Sequence, residues 1–164
     1  MAVLIAGIGY QNLRDLSIGP MLVPKLKQLD WPADVEIDDL SFGPIAVVQR
    51  FQDRPGYYDR IVFLSGVQRG REPGKIYTYL WLGELPDADE IQQRVGEAVT
   101  GVISLDNLLI ISQYFGVLPD DVRVIEIEPE DTNYGLEFTP RVAAILDEVV
   151  EMVRQAALET SVAV

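Results

Sequence analysis

The side chains of this chain that could do chemistry are mainly carboxylates, because it contains no cysteine and no histidine. Disulfides, thiolate nucleophiles, zinc-finger sites and imidazole-based triads are therefore excluded. Three aspartates lie near the predicted carboxyl ends of strands, where ligand sites of open α/β sheets gather: Asp15, Asp39 and Asp106. Together they could hold Mg²⁺, Mn²⁺ or Ca²⁺, but they would be poor ligands for Ni²⁺ or Zn²⁺.

Each of these aspartates also has an ordinary structural interpretation. Asp15 would cap the first helix, Asp39 would begin a turn, and Asp106 would lie in the first turn of a helix. The sequence leaves the metal site and the structural roles open as alternatives.

A glycine turn follows the first predicted strand. Gly7-Ile8-Gly9 resembles the start of a dinucleotide-binding loop, but the third glycine of that pattern would fall on Asn12. The acidic residue expected about 20 positions further on is also missing from its place. We therefore interpret the segment as a tight strand-to-helix turn beside a cleft.

Ser65 ends the third predicted strand and precedes Gly66, a position where a nucleophile could be exposed. No histidine is present to act as its base, and a pair with Lys75 has no motif behind it. A small structural residue is the favoured interpretation.

Strands that alternate with amphipathic helices predict one domain over residues 1–160, followed by a short frayed tail at 161–164. The expected fold is a three-layer α/β/α sandwich around a mainly parallel five-stranded sheet. Strands are predicted at residues 2–7, 35–40, 60–65, 75–82 and 122–127. Helices are predicted at residues 17–29, 44–52, 87–99, 104–115 and 139–158, with Ser104 and Thr139 as N-caps.

The net charge of −13 argues against a nucleic-acid partner, because a phosphate backbone would be repelled. The only local basic group is Arg69, Arg71 and Lys75, and Glu72 interrupts it. No apolar run is long enough for a membrane span, and the apolar start has no basic segment before it. A cytoplasmic protein that does not bind membranes is expected.

The strand predicted at residues 75–82 carries Tyr77, Tyr79 and Trp81 on one face. These rings would pack under a helix, or they would mark an edge strand that binds a polypeptide or a second copy of the chain. The sequence does not fix the oligomeric state.

The two ends of the chain resemble the hydrogenase maturation endopeptidases, small α/β proteins that trim the C-terminus of the large subunit of nickel–iron hydrogenases. GIGYQNLRDLSIG, residues 7–19, is similar to the family's opening pattern of Gly-x-Gly-Asn, four residues, Asp-Glu/Asp and Gly. IEIEPEDTNYGLEFTPRV, residues 125–142, is similar to the last strand, a proline, and Gly-Leu-Ser/Thr-Pro-x-Val at the last helix. VEIDD and IVFLSG fall on two strands between them.

The resemblance implies where a metal would bind. Members of the family use an acid after the glycine turn, an Asp at the end of the third strand, and a His ahead of a later helix. These positions fall on Leu16, Ser65 and Asp106, while Asp15 matches a neighbouring Asp. None of the three expected ligand identities is kept.

The resemblance also implies a binding cleft. The family's Asn after the second glycine becomes Tyr10, and the Gly-Gly of its substrate-contacting turn becomes Leu40-Ser41. We expect the cleft to be more apolar than a catalytic site, with Phe42 on its wall. Its predicted residues are Gly7, Gly9, Tyr10, Asp15, Leu16, Asp39, Leu40, Ser41, Ser65 and Asp106.

Two functions follow from the resemblance. The favoured one is a pseudoenzyme without cofactor that acts as a polypeptide-binding or assembly factor, its partner a hydrogenase large subunit or another client polypeptide. The alternative is an active endopeptidase with a divalent metal, such as nickel in the ancestral site, held by Asp15, Asp39 and Asp106. The first is favoured because the ligand positions have changed while the scaffold has not.

Overall fold

A computed structural model describes residues 1–159; the predicted tail at 161–164, like residue 160, lies outside them. The strands are β1 (Val3–Ile8), β2 (Val35–Asp39), β3 (Arg60–Gly66), β4 (Ile76–Leu80) and β5 (Asp121–Ile127). The helices are α1 (Ile18–Lys27), α2 (Pro44–Asp53), α3 (Ala88–Val99), α4 (Leu105–Tyr114), α5 (Pro140–Ala143) and α6 (Leu146–Leu158). Within residues 1–159, no helix is long and apolar enough to cross a membrane.

The five strands form one sheet in the order β2-β1-β3-β5-β4. Neighbouring strands run parallel except β4, which pairs antiparallel with β5 at one edge. The predicted mainly parallel five-stranded sheet is confirmed. Because β1, β3 and β5 point the same way, their carboxyl ends meet along one edge of the sheet, where such folds bind ligands.

Helices cover both faces of the sheet, as a three-layer sandwich requires. All seven residues of β3 are buried, so its side chains alternate between two cores. Val62 and Leu64 lie in the core under α1 and α6, whereas Ile61 and Phe63 lie in the core under α2 and α4. A strand covered on both faces explains the continuous apolar sequence IVFL.

The predicted last helix at residues 139–158 is wrong in one respect, because the structure breaks it into α5 and α6. The amide of Ile145 donates to the carbonyl of Val142 at 3.1 Å, a bond three residues long that interrupts the α-helical pattern. Thr139 precedes α5 as expected, but its hydroxyl makes no capping bond. It donates to Asp15 instead.

The glycine turn brings β1 against α1 at very short range. A Cβ atom on Gly7 would lie 2.4 Å from the carbonyl oxygen of Gly19, and a Cβ atom on Gly19 would lie 2.4 Å from the carbonyl oxygen of Ile8. Only glycine fits at these two positions, so α1 packs directly against the carboxyl end of β1.

Candidate functional site

A pocket of about 150 Å³ opens at the carboxyl edge of the sheet, where β1 and β3 end, and we call it the edge pocket. Its walls come from the loop after β1, the loop after β3, and the start of α4. Five of the predicted cleft residues line it: Gly9, Tyr10, Leu16, Ser65 and Asp106. Leu16 and Asp106, about 90 residues apart in the chain, thus line the same pocket.

The three positions at which the resemblance implies metal ligands converge on the edge pocket, but their side chains offer few donor atoms to a metal. Leu16 contributes hydrocarbon. The hydroxyl of Ser65 is buried and donates to the backbone carbonyl of Ile8 at 2.8 Å. Asp106 contributes a carboxylate, but that carboxylate is already paired with Arg69.

Arg69 holds Asp106 through two parallel hydrogen bonds. Its Nη1 and Nη2 atoms donate to the two carboxylate oxygens of Asp106 at 3.0 and 2.8 Å. The same guanidinium donates through Nε and Nη2 to both carboxylate oxygens of Glu126, at 2.8 and 2.9 Å. Such paired guanidinium–carboxylate contacts are among the strongest and most directional in proteins.

Glu126 lies on β5 and is fully buried, so its charge depends on its partners. Besides Arg69, it meets Nη2 of Arg71 at 2.9 Å and accepts the hydroxyl of Tyr79 at 2.7 Å. Burial acts to raise the pKa of Glu126, but the hydrogen bonds from Arg69 and Tyr79 outweigh it and hold the pKa below its usual value. Burial and the Glu126 carboxylate in turn raise the pKa of Tyr79.

Sequence reasoning missed this network and grouped Arg69 and Arg71 with Lys75 as a local basic patch that Glu72 interrupts. In the structure Arg69 binds Glu126 and Asp106, while Nε of Arg71 donates to Glu128 at 2.8 Å. A signal was present, because Glu126 and Glu128 alternate with apolar residues in a strand that should be buried, and such charges need partners.

Asp15 is fully buried and faces the loop before α5. Its carboxylate accepts the amides of Glu130, Asp131 and Thr139 at 2.9, 3.2 and 2.9 Å. It also accepts the hydroxyl of Thr139 at 2.8 Å. The predicted helix cap is therefore wrong, since Asp15 binds a distant loop. Asp15 is not among the residues that line the edge pocket.

The structure does not bring Asp15, Asp39 and Asp106 together as metal ligands. Asp15 is satisfied by the loop before α5, and Oδ1 of Asp39 accepts the amide of Ser41 at 3.0 Å. Within residues 1–159, no group of three or more acidic, histidine or cysteine side chains is placed to hold a metal ion. The donor set at the edge pocket therefore does not fit the metal that the resemblance implies.

Four other predicted cleft residues lie near the edge pocket but do not line it. The amide of Leu40 donates to the carbonyl of Gly7 at 2.9 Å, which extends the strand pairing, and the Leu40 side chain is buried in the core. Gly7 faces Gly19, as described above. The hydroxyl of Ser41 accepts the amide of Gly9 at 3.0 Å, so Asp39 and Ser41 flank the glycine turn. Phe42, which was expected on the wall, is half exposed outside the pocket.

Tyr10 spans the edge pocket, since its hydroxyl accepts the amide of Ile103 at 2.9 Å. Its ring thereby joins the loop after β1 to the segment before α4. Ser104 caps α4 as predicted by accepting the amide of Asn107. Together these bonds fix the start of α4, which carries Asp106.

The aromatic residues of the edge strand point to partners within the chain. The hydroxyl of Tyr79 bonds Glu126, and Nε1 of Trp81 donates to Gln113 on α4 at 3.1 Å. Arg71 stacks on Tyr77, with 4.1 Å between the guanidinium carbon and the ring centre. The edge position of β4 is confirmed. Tyr79 binds Glu126, the same carboxylate that Arg69 binds beside the edge pocket.

Solved structures with this architecture include hydrogenase maturation proteases. The hydrogenase 2 maturation peptidase from a Thaumarchaeota archaeon is 26% identical, with a TM-score of 0.67 over 95% of this chain and 97% of that chain. The fold of this chain is that of the hydrogenase maturation proteases. The hydrogenase maturating endopeptidase HybD from E. coli, with 22% identity and a TM-score of 0.69, covers 93% of this chain and 90% of its own. A second E. coli endopeptidase is 23% identical, with a TM-score of 0.73, and the match covers 99% of this chain and 95% of that chain.

The resemblance inferred from the two ends of the sequence is thus confirmed at the level of the maturation-protease fold. No protein-family model matches the chain, and no curated protein matches it. In these three structures the shared fold extends over 93–99% of this chain.

Proposed function

We propose that this chain is a polypeptide-binding or assembly factor that has the maturation-protease fold and lacks metal-dependent peptidase activity. The observation that carries the proposal is the content of the edge pocket. Leu16, Ser65 and Asp106 line one pocket, yet they present a hydrocarbon, a hydroxyl bonded to backbone, and a carboxylate paired with Arg69.

Peptide hydrolysis requires an activated nucleophile, supplied by a metal-bound water or by a side chain with a base. Ser65 donates its proton to a backbone carbonyl, and within residues 1–159 no side-chain base is hydrogen-bonded to it. Asp106 could act as a base only by leaving Arg69, which holds it with two bonds. Neither route supports hydrolysis at this pocket.

Binding of a polypeptide is supported by the shape and lining of the same pocket. A volume of about 150 Å³ suits a single side chain of a client segment. Much of the wall is apolar, formed by Tyr10, Leu16, Val67, Ile103 and Leu105. Apolar burial with a few polar groups at the rim is typical of recognition sites. The names of the structural relatives direct the choice of client to a hydrogenase, and the sequence resemblance implies its large subunit.

The test uses a purified nickel–iron hydrogenase large-subunit precursor that retains its C-terminal extension. Binding is measured by calorimetry, and the mass of the precursor is measured after incubation with Ni²⁺ or Zn²⁺. We expect binding without loss of the extension. Cleavage would overturn the non-catalytic proposal, and absence of binding would overturn the large subunit as client.

The role of the edge pocket is tested with two chemically identical substitutions. Leu16 lines the pocket and is partly exposed, so Leu16→Asp places a charge there without opening the core. Leu82→Asp makes the same change at a side chain that is 78% exposed and outside the pocket. We expect Leu16→Asp to weaken client binding about tenfold, or about 1.4 kcal/mol, and Leu82→Asp to leave it unchanged. Equal binding by both variants would place the contact surface elsewhere.

A further inference from the structure

One nitrogen atom of Arg69 lies between two carboxylates, and one of them, that of Asp106, lines the edge pocket. Its Nη2 atom is 2.8 Å from Oδ1 of Asp106 and 2.9 Å from Oε2 of Glu126. The remaining oxygens of the same carboxylates bind Nη1 and Nε of the same guanidinium. Two acidic groups from α4 and β5 therefore converge on a single positive centre.

We propose that Arg69 is the resident cation beside the edge pocket, and that its guanidinium excludes divalent metal ions from the space between Asp106 and Glu126. Arg69 thereby occupies Asp106, the one carboxylate among the three positions at which the resemblance implies metal ligands. This role of Arg69 concerns the same pocket as the proposed function but does not depend on which client binds there.

Arg69 is held in place by buried partners as well as by the more exposed Asp106. Its backbone amide donates to Oε2 of Glu128 at 3.0 Å, and Glu128 is buried. Arg71 binds Glu126 and Glu128 from the other side. The two guanidinium groups thus face three carboxylates, so most of the local negative charge is compensated without a metal.

Removal of the Arg69 guanidinium would leave Asp106 and Glu126 facing a common point. Hard divalent cations such as Ca²⁺ and Mn²⁺ bind carboxylate oxygens, Ca²⁺ at about 2.3–2.6 Å. The present separations of 2.8 and 2.9 Å from the Nη2 position need to shorten only slightly to reach that range. Glu126 would keep Arg71 and Tyr79 as partners, and a metal would replace the positive charge that it loses with Arg69.

The experiment titrates Ca²⁺ and Mn²⁺ calorimetrically into the wild type, Arg69→Met, Arg69→Lys and Arg71→Met. We expect Arg69→Met to bind Ca²⁺ or Mn²⁺ at least about tenfold more tightly than the wild type. Only this variant leaves the position of Arg69 Nη2, between Asp106 and Glu126, without a cation. Arg69→Lys keeps a cation there, and Arg71→Met keeps the Arg69 guanidinium, so both should resemble the wild type. Adding Asp106→Asn to Arg69→Met should abolish the gain.

Equal metal affinity in the wild type and Arg69→Met would overturn the proposal, as would an equal gain in Arg71→Met. If Arg69→Met does not fold alone, recovery of the folded state in millimolar Ca²⁺ or Mn²⁺ supports the proposal, and no recovery overturns it. Client binding is measured on the wild type, so the two proposals fail separately. A metal gain without client binding rejects only the proposed function.

Discussion

Asp15 and Thr139 are joined by two hydrogen bonds although they lie 124 positions apart in the chain. Oδ1 of Asp15 accepts the amide of Thr139 at 2.9 Å, and Oδ2 accepts its hydroxyl at 2.8 Å. These bonds tie the glycine turn near the N-terminus to the start of α5. The two segments with the strongest family resemblance therefore meet in a structural contact.

Asp15→Ala should lower the free energy of unfolding by about 3 kcal/mol, because four donors to a buried carboxylate lose their acceptor at once. Urea unfolding monitored by circular dichroism measures the change. Asp147→Ala is the control, since the Asp147 side chain is fully exposed and its replacement should leave the midpoint nearly unchanged. Equal midpoints for the two variants would show that the Asp15 contact does not stabilise the fold.

Gly19→Ala should destabilise the chain severely, by about 3 kcal/mol or more, because its Cβ would lie 2.4 Å from the backbone of Ile8. Gly96→Ala is the matched control, and its expected change in stability has the opposite sign. Gly96 lies inside α3, and among the described residues no neighbouring atom comes within 4 Å of the place that a methyl group would occupy, so alanine should raise stability by about 0.5–1 kcal/mol there. Thermal unfolding of both variants tests the pair; a Gly19→Ala protein as stable as the wild type would contradict the close approach of β1 and α1.

Ser65→Ala should cost about 1 kcal/mol, since it removes the hydrogen bond from the Ser65 hydroxyl to the carbonyl of Ile8. Ser112→Ala is the contrasting case, because the buried Ser112 hydroxyl has no hydrogen-bond partner within residues 1–159. Its removal should be neutral or stabilising. Denaturant unfolding measures both, and a fluorophosphonate probe should leave Ser65 unlabelled. Labelling of Ser65 in the folded protein would instead reveal a nucleophile.

The stability of the chain should depend on the charge of Glu126 in acid. Burial alone would raise the pKa of Glu126, but bonds from Arg69 and Tyr79 lower it below the unfolded value of about 4.3. A group with a lowered folded pKa stabilises the fold above the unfolded pKa, and this contribution is lost as the pH falls through the folded pKa. The wild type should therefore lose stability below about pH 5.

Glu126→Gln isolates this contribution, because glutamine does not titrate. Its free energy of unfolding should be lower than that of the wild type at neutral pH, and the gap should narrow as the pH falls from about 5 to 3. Urea unfolding at a series of pH values gives both curves. Parallel curves would mean that Glu126 does not titrate differently in the folded and unfolded chain.

Local patterns in the sequence were sufficient to predict the strands and most helices. The run IVFL predicted a strand buried on both faces, and Ser104 predicted the start of α4, because each signal acts over a few neighbouring residues. Thr139 was predicted as a cap from the same rule. It failed because Asp15, from the other end of the chain, competes for its hydroxyl.

The candidate site was predicted only in part for a similar reason. Carrying the family positions over placed Leu16, Ser65 and Asp106 at one edge pocket, where the structure also places them. The pairing of Arg69 with Asp106 and Glu126 joins residues 37 and 57 positions apart, and no local pattern specifies such distances. Buried charges on β5 indicated that partners exist but not which ones.

The absence of a metal site at the edge pocket is tested by calorimetric titration of the metal-free wild type with Ni²⁺ and Zn²⁺, with Asp106→Asn titrated in parallel. We expect no binding at micromolar concentrations, because Arg69 compensates the Asp106 carboxylate that lines the edge pocket. Stoichiometric binding by the wild type that disappears in Asp106→Asn would contradict this expectation, and would make the edge pocket a working metal site.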